Sequence, residues 1–392
     1  MPLTDICVLD LTRVISGPFC TALLADLGAD VIKIESPGSG DPVRRQGVIV
    51  DGLSWYFANY NRNKKSVTLD LYSDEGKQIL EKLIARSDVM VENFRPGVME
   101  KMGFGVDRLQ ELKPDIIHCN INGFGVSGPY RDRPAFDFIA QAMSGFMSLN
   151  GDEGAPPLRA GPPISDLLAG MNGALGILAA LVRRERTGKG DSLNVSLLGS
   201  MISLLSFHAA NYLASGSLPS RTGNDHGIVA PYGLFETADR PVAIAPSNDA
   251  VYHKFLDALD LTELKNHPDF STNADRMMNR EAIKAIIEAR TREQPSAYWI
   301  QRLNEFGVPC GPVLDLHEVF EDPQVLSQQM AIDVSHPGHG IVRMLGCPIK
   351  FSQTPGHTTQ PAPELGADTD AVLQSLGMPG AEIARLRELE II

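Results

Sequence analysis

The feature that most constrains the fold is a regular alternation of strand and helix patterns in the first third of the chain. Short apolar runs such as ICVLDLT and DVIKIE predict strands, and segments with helical spacing of leucines separate them. Between these two strands, Leu24 and Leu27 mark a helix that Gly28 ends. A strand–helix–strand unit implies parallel strands joined by a right-handed crossover. The sequence therefore predicts a doubly wound, Rossmann-like α/β domain.

The alternation continues through three further predicted strands, SVTLDLY, DVMVENF and DIIHCNINGFG. The helix between the first two begins after Ser73, a favoured N-cap residue. Such a domain invites a dinucleotide site, but the first turn reads RVISGPF and lacks the G-x-G-x-x-G pattern. Pro18 also removes an N–H group that a pyrophosphate would need. The sequence therefore argues against a bound nicotinamide cofactor.

A turn-rich linker divides the chain. The stretch GSLPSRTGNDHG combines glycine, serine and proline without helical or strand periodicity. We therefore expect residues 1–220 to form the large α/β domain with a linker helix. Residues 225–325 are expected to form a smaller α+β domain, which begins with an antiparallel pair and continues as helices. Residues 330–392 form a C-terminal segment.

Net charge and cysteine usage limit the possible partners. The 392 residues carry a formal charge of −13, which argues against nucleic acid or an anionic membrane surface as a partner. Five scattered cysteines without a C-x-x-C pair predict reduced thiols, with neither a disulfide framework nor a metal site. The N-terminus shows no basic-then-apolar signal pattern. We therefore expect a cytoplasmic protein.

One carboxylate stands at the junction of a turn and a long helix in RAGPPISDLLAGMNGALGILAAL. Asp166 at the first turn of this helix is a plausible N-cap, and local sequence alone favours that interpretation. The alternative is a nucleophile that attacks an acyl carbon, since nearby glycines allow a substrate to approach. The apolar run from Leu167 to Val182 falls short of a membrane span and predicts a tightly packed internal or interface helix.

Several motifs occur in an order that points to one family. They are LDLTRVISGPFCTALLADLGADVIKIE, NRNKKSVTLDL, VENFRPGVMEKMGF, RPAFDFIAQAMSG, ISDLLAGMNGALGILAAL, VPCGPV and PELGADTDAVL. Together they resemble the class III CoA-transferases, the CaiB/BaiF-like family that includes formyl-CoA transferase and carnitine CoA-transferase. The resemblance implies a CoA ester exchanged between two carboxylic acids and an interlocked homodimer of ring-like chains. It also implies that the C-terminal segment returns to the large domain.

The resemblance assigns the role of nucleophile to Asp166. It implies attack on an acyl-CoA donor to give an aspartyl anhydride, and then an aspartyl-CoA thioester that a carboxylic acid acceptor consumes. Coenzyme A enters as substrate, and no metal or permanently bound cofactor is needed because thioester is exchanged for thioester. Asp137, ahead of the predicted helix FIAQAM, either positions the nucleophile or substrate or serves as an N-cap.

The resemblance also implies a path for the CoA moiety. Arg95 and Lys101 are the phosphate candidates, although without the resemblance both would count as solvated surface charges. Several members of the family carry a CoA-binding arginine where this chain has Ser36, so Arg44 or Arg45 is left to replace it. The expected lining residues are Ile15, Ser16, Leu69, Asp70, Leu71, Tyr72, Asn93, Phe94, Arg95 and Lys101.

Two alternative functions remain open from the sequence. α-Methylacyl-CoA racemases of the same superfamily use a histidine next to an aspartate, but here Phe136 precedes Asp137. His226 in the linker could face the active site, although a lone linker histidine is more often solvated. The second alternative is a CoA-binding protein without catalysis, and the intact Asp166 with its glycine-rich surroundings argues against it.

Overall fold

The computed structural model describes residues 1–354 and 359–392. Within these residues the strands, in chain order, are β1 (Cys7–Asp10), β2 (Asp30–Glu35), β3 (Ile49–Val50), β4 (Leu53–Ser54), β5 (Lys64–Thr68), β6 (Val89–Glu92), β7 (Ile117–Asn122), β8 (Asp191–Ser196), β9 (Gly233–Phe235), β10 (Val242–Ile244), β11 (Cys310–Pro312), β12 (Ala331–His336) and β13 (Gly340–Leu345).

The α-helices of the same described residues are α1 (Ser16–Asp26), α2 (Trp55–Asn61), α3 (Asp74–Arg86), α4 (Val98–Met102), α5 (Val106–Leu112), α6 (Asp137–Met143), α7 (Phe146–Leu149), α8 (Ile164–Thr187), α9 (Leu197–Leu204), α10 (Ser206–Ser215), α11 (Asp249–Ala258), α12 (Asn273–Met278), α13 (Arg280–Thr291), α14 (Ser296–Glu305), α15 (Leu316–Glu321), α16 (Pro323–Ser327), α17 (Thr369–Ser375) and α18 (Gly380–Glu388).

The described chain divides into two compact units. The first comprises Met1–Phe146, Ala160–Ser206 and Pro323–Ile392, and the second comprises Met147–Arg159 and Phe207–Asp322. These limits differ from the expected ones in residues 147–159 and 207–220, which both belong to the second unit. Hydrogen bonds join these two segments, because Arg221, in the predicted linker, donates to the carbonyls of Asp152 and Ala155.

A six-stranded parallel sheet forms the centre of the first unit. Its strand order is β5-β2-β1-β6-β7-β8, and every neighbouring pair is parallel. The chain runs outward from β1 in one direction and then returns to the other side of β1, which is the doubly wound arrangement. The prediction of a doubly wound α/β domain is confirmed.

The residues of each central strand alternate between two apolar cores. On β1, Leu9 packs on the side of α3 and α5, whereas Val8 packs on the side of α1 and α8. Burial on both faces explains why these strands read as continuous apolar runs. On β7 the alternation has a polar side, because Ile117 and Cys119 face the second core while Asn120 accepts and donates hydrogen bonds.

The C-terminal part of the first unit covers the edge strand β5. The N–H of Ser66 donates to the Asp368 carboxylate at 2.9 Å, and the N–H of Thr68 donates to the Thr369 hydroxyl at 3.0 Å. Beyond the strand, the Asp70 N–H donates to the Ile391 carbonyl at 2.8 Å. These side chains satisfy an edge that would otherwise expose unpaired backbone groups.

Helix α8 packs closely on α1 because glycines face the contact. A Cβ atom at Gly170 would lie 2.6 Å from the Ser16 carbonyl oxygen and 3.2 Å from the Cys20 nitrogen. A Cβ atom at Gly173 would lie 2.9 Å from the side chain of Ile121. Small residues therefore set the separation of the two helices, as the sequence predicts for a tightly packed helix.

Helix α8 is long and apolar enough to cross a membrane, and so is the bent pair α9 and α10 taken as one segment. The expectation that the apolar run is too short is therefore wrong on these two criteria. The helix runs from Ile164 to Thr187, longer than the apolar run itself. Its buried face packs on α1 and on the sheet, as in the core helix of a globular domain.

The second unit has its own core. Strands β9, β10 and β11 form an antiparallel sheet, and Trp299 and Tyr252 are fully buried among the helices beside it. The antiparallel pair β9–β10 and the later helices α11, α13 and α14 agree with the expected antiparallel pair followed by helices. Strand β11 lies in the VPCGPV motif.

We predict that Gly170→Ala lowers the free energy of unfolding by about 1–3 kcal/mol, because the new methyl group meets backbone that cannot rotate away. Gly176→Ala on the same helix is the matched control, since its Cβ atom would meet only the flexible end of Leu193. Chemical denaturation of both variants measures the difference. An unchanged or higher stability for Gly170→Ala would contradict this account of the packing.

Candidate active site

Two adjoining cavities open at the carboxyl end of the parallel sheet. The first, of about 480 Å³, is lined by residues that follow β1, β2 and β5. The second, of about 630 Å³, is lined by the turn before α1, the loop after β6 and the segment before α6. Arg13, Pro42 and Phe94 line both cavities. Ligands of open α/β sheets bind at this edge, so the two cavities form the candidate site.

Asp166 is the only carboxylate among the residues that line the second cavity. It is the third residue of α8 and its side chain makes no capping hydrogen bond, so its interpretation as an N-cap is wrong. The N-cap position belongs to Pro163. Burial, and to a smaller extent the charge of Asp137, raises the pKa of Asp166 from 3.8 to about 7. The helix dipole favours the charged form by only about 0.3–1 kcal/mol, which burial outweighs.

Asp137 holds the start of α8. One of its carboxylate oxygens accepts hydrogen bonds from the backbone N–H and the hydroxyl of Ser165, both at 2.8 Å. The other oxygen accepts from the side-chain amide of Gln141 at 2.7 Å. Asp137 is the first residue of α6, whose N-cap position is Phe136. It therefore caps the neighbouring helix rather than its own, and it fixes the residue that precedes Asp166.

Two tyrosines of α2 lie within the electrostatic range of Asp166. Burial raises the pKa of Tyr56 and of Tyr60, and the Asp166 carboxylate raises both further. Their rings meet edge to face with centroids 5.7 Å apart. Neither hydroxyl has a hydrogen-bond partner among the described residues. Sequence reasoning missed both, because the segment WYFANYN has no motif and its relation to Asp166 is purely tertiary.

The residues expected along the CoA path divide between the two cavities. Lys101 lines neither of them and lies exposed on α4, so the structure does not bring this phosphate candidate together with the others. The remaining nine line the cavities as follows: Leu69, Asp70, Leu71, Tyr72 and Phe94 the first, and Ile15, Ser16, Asn93, Phe94 and Arg95 the second.

Arg44 and Arg45, the two arginines considered as replacements for the one missing at Ser36, make different contacts. The Arg44 guanidinium forks onto the Glu35 carboxylate at 2.7 and 2.8 Å and lies 3.7 Å from the Phe57 ring centroid. Arg45 instead lines the first cavity, together with Ser36. Of the two, Arg45 is therefore the residue placed to supply the positive charge that is missing at Ser36.

The second cavity is strongly basic although the whole chain is acidic. Arg13, Arg95, Arg131 and Arg133 line it together with Asp166. The Arg95 side chain makes no hydrogen bond or ion pair with any described residue, although its carbonyl accepts the Val98 N–H. The four guanidinium groups share the lining of this cavity with the Asp166 carboxylate. They form a local field that favours an anionic ligand.

Histidines are placed away from this chemistry. No histidine in the described part of the chain lines either cavity, and Phe136 occupies the position that a racemase gives to histidine. His226 lies in the second unit, where it packs against Phe207 and Tyr232 and its Nδ1 accepts from the Ile228 N–H. The acid/base partner that racemisation requires is therefore not found among the lining residues.

One group of metal-ligand side chains occurs in the described residues, formed by His336, His339 and Glu364. Nδ1 of His336 accepts the Gly338 N–H at 3.1 Å, which places its proton on Nε2, 3.1 Å from the Ala362 carbonyl oxygen. Both ring nitrogens of His336 are therefore occupied. Nε2 of His339 donates to the Glu364 carboxylate, 2.7 Å away. Nδ1 of His339 is buried and has no hydrogen-bond partner among the described residues.

Comparisons with known proteins agree with this geometry. The family model of CoA-transferase family III matches residues 3–369. The acetyl-CoA:oxalate CoA-transferase of Acetobacter aceti is 39% identical, with 97% of both chains covered. The human succinyl-CoA:glutarate CoA-transferase is 37% identical over 96% of this chain and 86% of its own. A crystal structure of a CaiB/BaiF family protein from Brucella suis superposes with a TM-score of 0.85 at 36% identity, covering 96% of this chain and 99% of that one. These matches identify an enzyme of the CoA-transferase class, and the chain belongs to CoA-transferase family III.

Proposed function

We propose that this enzyme moves CoA from an acyl-CoA donor to a free carboxylic acid through covalent intermediates on Asp166. The observation that carries the proposal is the state of that carboxylate. It lines a cavity of about 630 Å³, and burial raises its pKa to about 7. A carboxylate that is poorly solvated but ionisable near neutral pH is a stronger nucleophile than one exposed to water.

The first half-reaction places CoA on the enzyme. A carboxylate oxygen of Asp166 attacks the thioester carbonyl carbon, and the C–S bond breaks to give a mixed anhydride and CoA thiolate. The thiolate sulfur then attacks the Asp166 carbonyl carbon, and the bond between that carbon and the bridging oxygen of the anhydride breaks, so the oxygen leaves with the donor acyl group. The donor leaves as a free carboxylate, and Asp166 becomes an aspartyl-CoA thioester.

The second half-reaction runs the same steps in reverse with the acceptor. The acceptor carboxylate attacks the Asp166 carbonyl carbon, releases CoA thiolate and forms a new anhydride. The thiolate attacks the acceptor acyl carbon, and the Asp166 carboxylate is restored. No proton is gained or lost overall, and one thioester replaces another.

Groups around Asp166 suit the charges that develop in these steps. The backbone N–H of Asp166 has no partner among the described residues and is a donor that would stabilise a tetrahedral oxyanion. Asp137 is occupied by Ser165 and Gln141, so it fixes the nucleophile without competing for the acyl group.

Dicarboxylic acids are the substrate class that we propose. The two named relatives act on oxalate and on glutarate, each of which carries a second carboxylate. The four arginines of the second cavity would attract such a dianion. Succinyl-CoA and acetyl-CoA are the donors to test first.

We predict that Asp166→Asn abolishes transfer, by a factor of at least about 10³, because an amide is a very poor nucleophile. Wild-type enzyme incubated with acyl-CoA and then hydroxylamine carries a hydroxamate at residue 166, which peptide mass spectrometry locates. Asp137→Asn is the matched control and still forms the adduct, more slowly. Label on another carboxylate, or near-native transfer by Asp166→Asn, would sink the mechanism.

We predict that Asp166→Asn also changes the dependence of stability on pH. Because the folded-state pKa of Asp166 lies above its unfolded value, ionisation opposes folding, and the penalty grows as pH rises from about 4 to 7. Above that range it approaches about 4 kcal/mol. Asp166→Asn therefore has a melting temperature at least equal to the wild type at pH 8, which also verifies that its loss of activity is not unfolding.

We predict that adduct formation accelerates as pH rises from 5.5 to 8, with an apparent pKa near 7, because only the ionised form of Asp166 attacks. Asp137→Asn removes the neighbouring negative charge and shifts this midpoint to lower pH. Single-turnover rates at saturating acyl-CoA measure both profiles. A rate that is flat over this range, or one that falls as pH rises, is incompatible with the assignment.

We also propose a homodimer in solution. Helix α8 exposes a stripe of large apolar side chains at helical spacing, with Met171, Leu175 and Val182 each more than half exposed. Phe138 on α6 and Ile202 on α9 add to the exposed apolar surface of the same unit. Surfaces of this kind mark protein interfaces in stable assemblies.

Light scattering at micromolar concentration is therefore expected to give twice the mass of the 392-residue chain. Leu175→Glu places a charge in the proposed interface and should produce monomers or aggregates. Glu185→Gln, an exposed change near the end of the same helix, should not alter the mass. A stable, folded monomer of the wild type would refute the proposal.

A further inference from the structure

We propose that Asp41 is a positioning residue of this enzyme, and that with Lys33 it holds the strained turn at Val14, which lines the same cavity as Asp166. The inference concerns the site of the proposed function. It adds an assignment for a buried pair that makes no contact with the reacting carboxylate.

Val14 has an unusual backbone. Its φ angle is +71°, in the left-handed region that glycine tolerates and that a β-branched residue rarely adopts. Such a conformation persists only where surrounding groups impose it. The neighbouring residues Ile15 and Ser16, with Val14 itself, line the second cavity. The strain therefore lies directly at the candidate site.

The Asp41 carboxylate imposes this conformation. Both of its oxygens lie 3.2 Å from the Val14 nitrogen and accept its N–H. One oxygen also accepts the Val43 N–H at 3.1 Å. The Asp41 side chain is only 1% exposed, so its carboxylate is not presented to the cavity that its backbone borders. The carboxylate therefore acts on backbone groups inside the protein.

Two further side chains fix the residues on either side. The Lys33 ammonium, fully buried, lies 3.0 Å from the Asp41 carboxylate and donates to the Thr12 carbonyl at 2.7 Å. Asn93 bonds the backbone of Arg13 on both sides, accepting its N–H at 3.0 Å and donating to its carbonyl at 2.8 Å. Three consecutive residues are thus each held by a different side chain: Thr12 by Lys33, Arg13 by Asn93 and Val14 by Asp41.

The turn and the nucleophile are mechanically connected. Gly170 lies one helical turn after Asp166, on the same side of α8, and its close contact is the Ser16 carbonyl. A change in the path of residues 14–16 would therefore displace both the cavity wall and the helix that carries Asp166. A small misplacement of the reacting group lowers the rate of the chemical step with little effect on ligand affinity.

The test is a comparison of variants at positions 41 and 14. Asp41→Asn removes the charge, and Asp41→Glu keeps the ion pair with Lys33 while displacing the carboxylate. We expect each to slow aspartyl-CoA formation at least about ten-fold, with less than about a three-fold change in the dissociation constant for acyl-CoA. If the buried lysine prevents Asp41→Asn from folding, Asp41→Glu carries the test.

Val14→Gly supplies the decisive control. Glycine adopts the left-handed conformation without penalty, so in the Asp41 variants it should restore the rate about ten-fold relative to Val14→Ala, which keeps the penalty. A rate loss that is the same with Val, Ala or Gly at position 14 would overturn the proposal. So would a loss that lies wholly in acyl-CoA binding.

Hydrogen exchange separates this proposal from the proposed function. In the Asp41 variants, peptides that cover residues 12–17 should exchange faster than in the wild type, whether or not Asp166 is the nucleophile. Unchanged exchange in these peptides contradicts the proposal that Asp41 holds the turn. Faster exchange, combined with no hydroxamate at Asp166 in the wild type, supports the role of Asp41 and rejects the covalent mechanism.

Discussion

The hydrogen bonds from Ser165 to the Asp137 carboxylate are the interaction on which the site depends. They join the first residue of α6 to the start of α8, so two segments of the chain meet with a defined geometry. They also occupy Asp137 and leave Asp166 as the carboxylate that faces the cavity. The Asp137 carboxylate has hydrogen-bond partners, whereas burial disfavours the charged form of Asp166 and raises its pKa to about 7. Two neighbouring aspartates thereby acquire different chemistry.

Much of the fold could be predicted from sequence because its signals are local. The strands β1, β2, β6 and β7 read as apolar runs, and the helix after Ser73 begins with the expected cap, since its hydroxyl accepts the Gly76 N–H. The short strands β3, β4 and β11 gave no such signal. Two or three residues carry no periodicity, and their pairing depends on partners distant in the chain.

The site was less predictable, for a related reason. Asp166 stands out by its motif, but whether it caps its helix depends on where the helix begins, and helix ends are the least certain feature of a sequence pattern. Its neighbours Tyr56 and Tyr60 come from a helix more than a hundred residues earlier and have no motif of their own. The placement of Arg44 on Glu35 and Phe57, and of Arg45 at the cavity, likewise depends on tertiary packing that composition does not reveal.

The pairing of the edge strand β5 with C-terminal residues has a consequence for folding during translation. The groups that satisfy this edge, Asp368 and Thr369, follow the strand by about 300 residues. During synthesis the edge of the parallel sheet therefore stays unpaired until the C-terminal residues have been made. The Asp70 N–H likewise lacks its partner, the Ile391 carbonyl, until the end of translation. An open strand edge recruits other strands, so the nascent protein is most prone to aggregate in this interval. Chaperone binding at β5 during translation would protect a site that the finished molecule closes by itself.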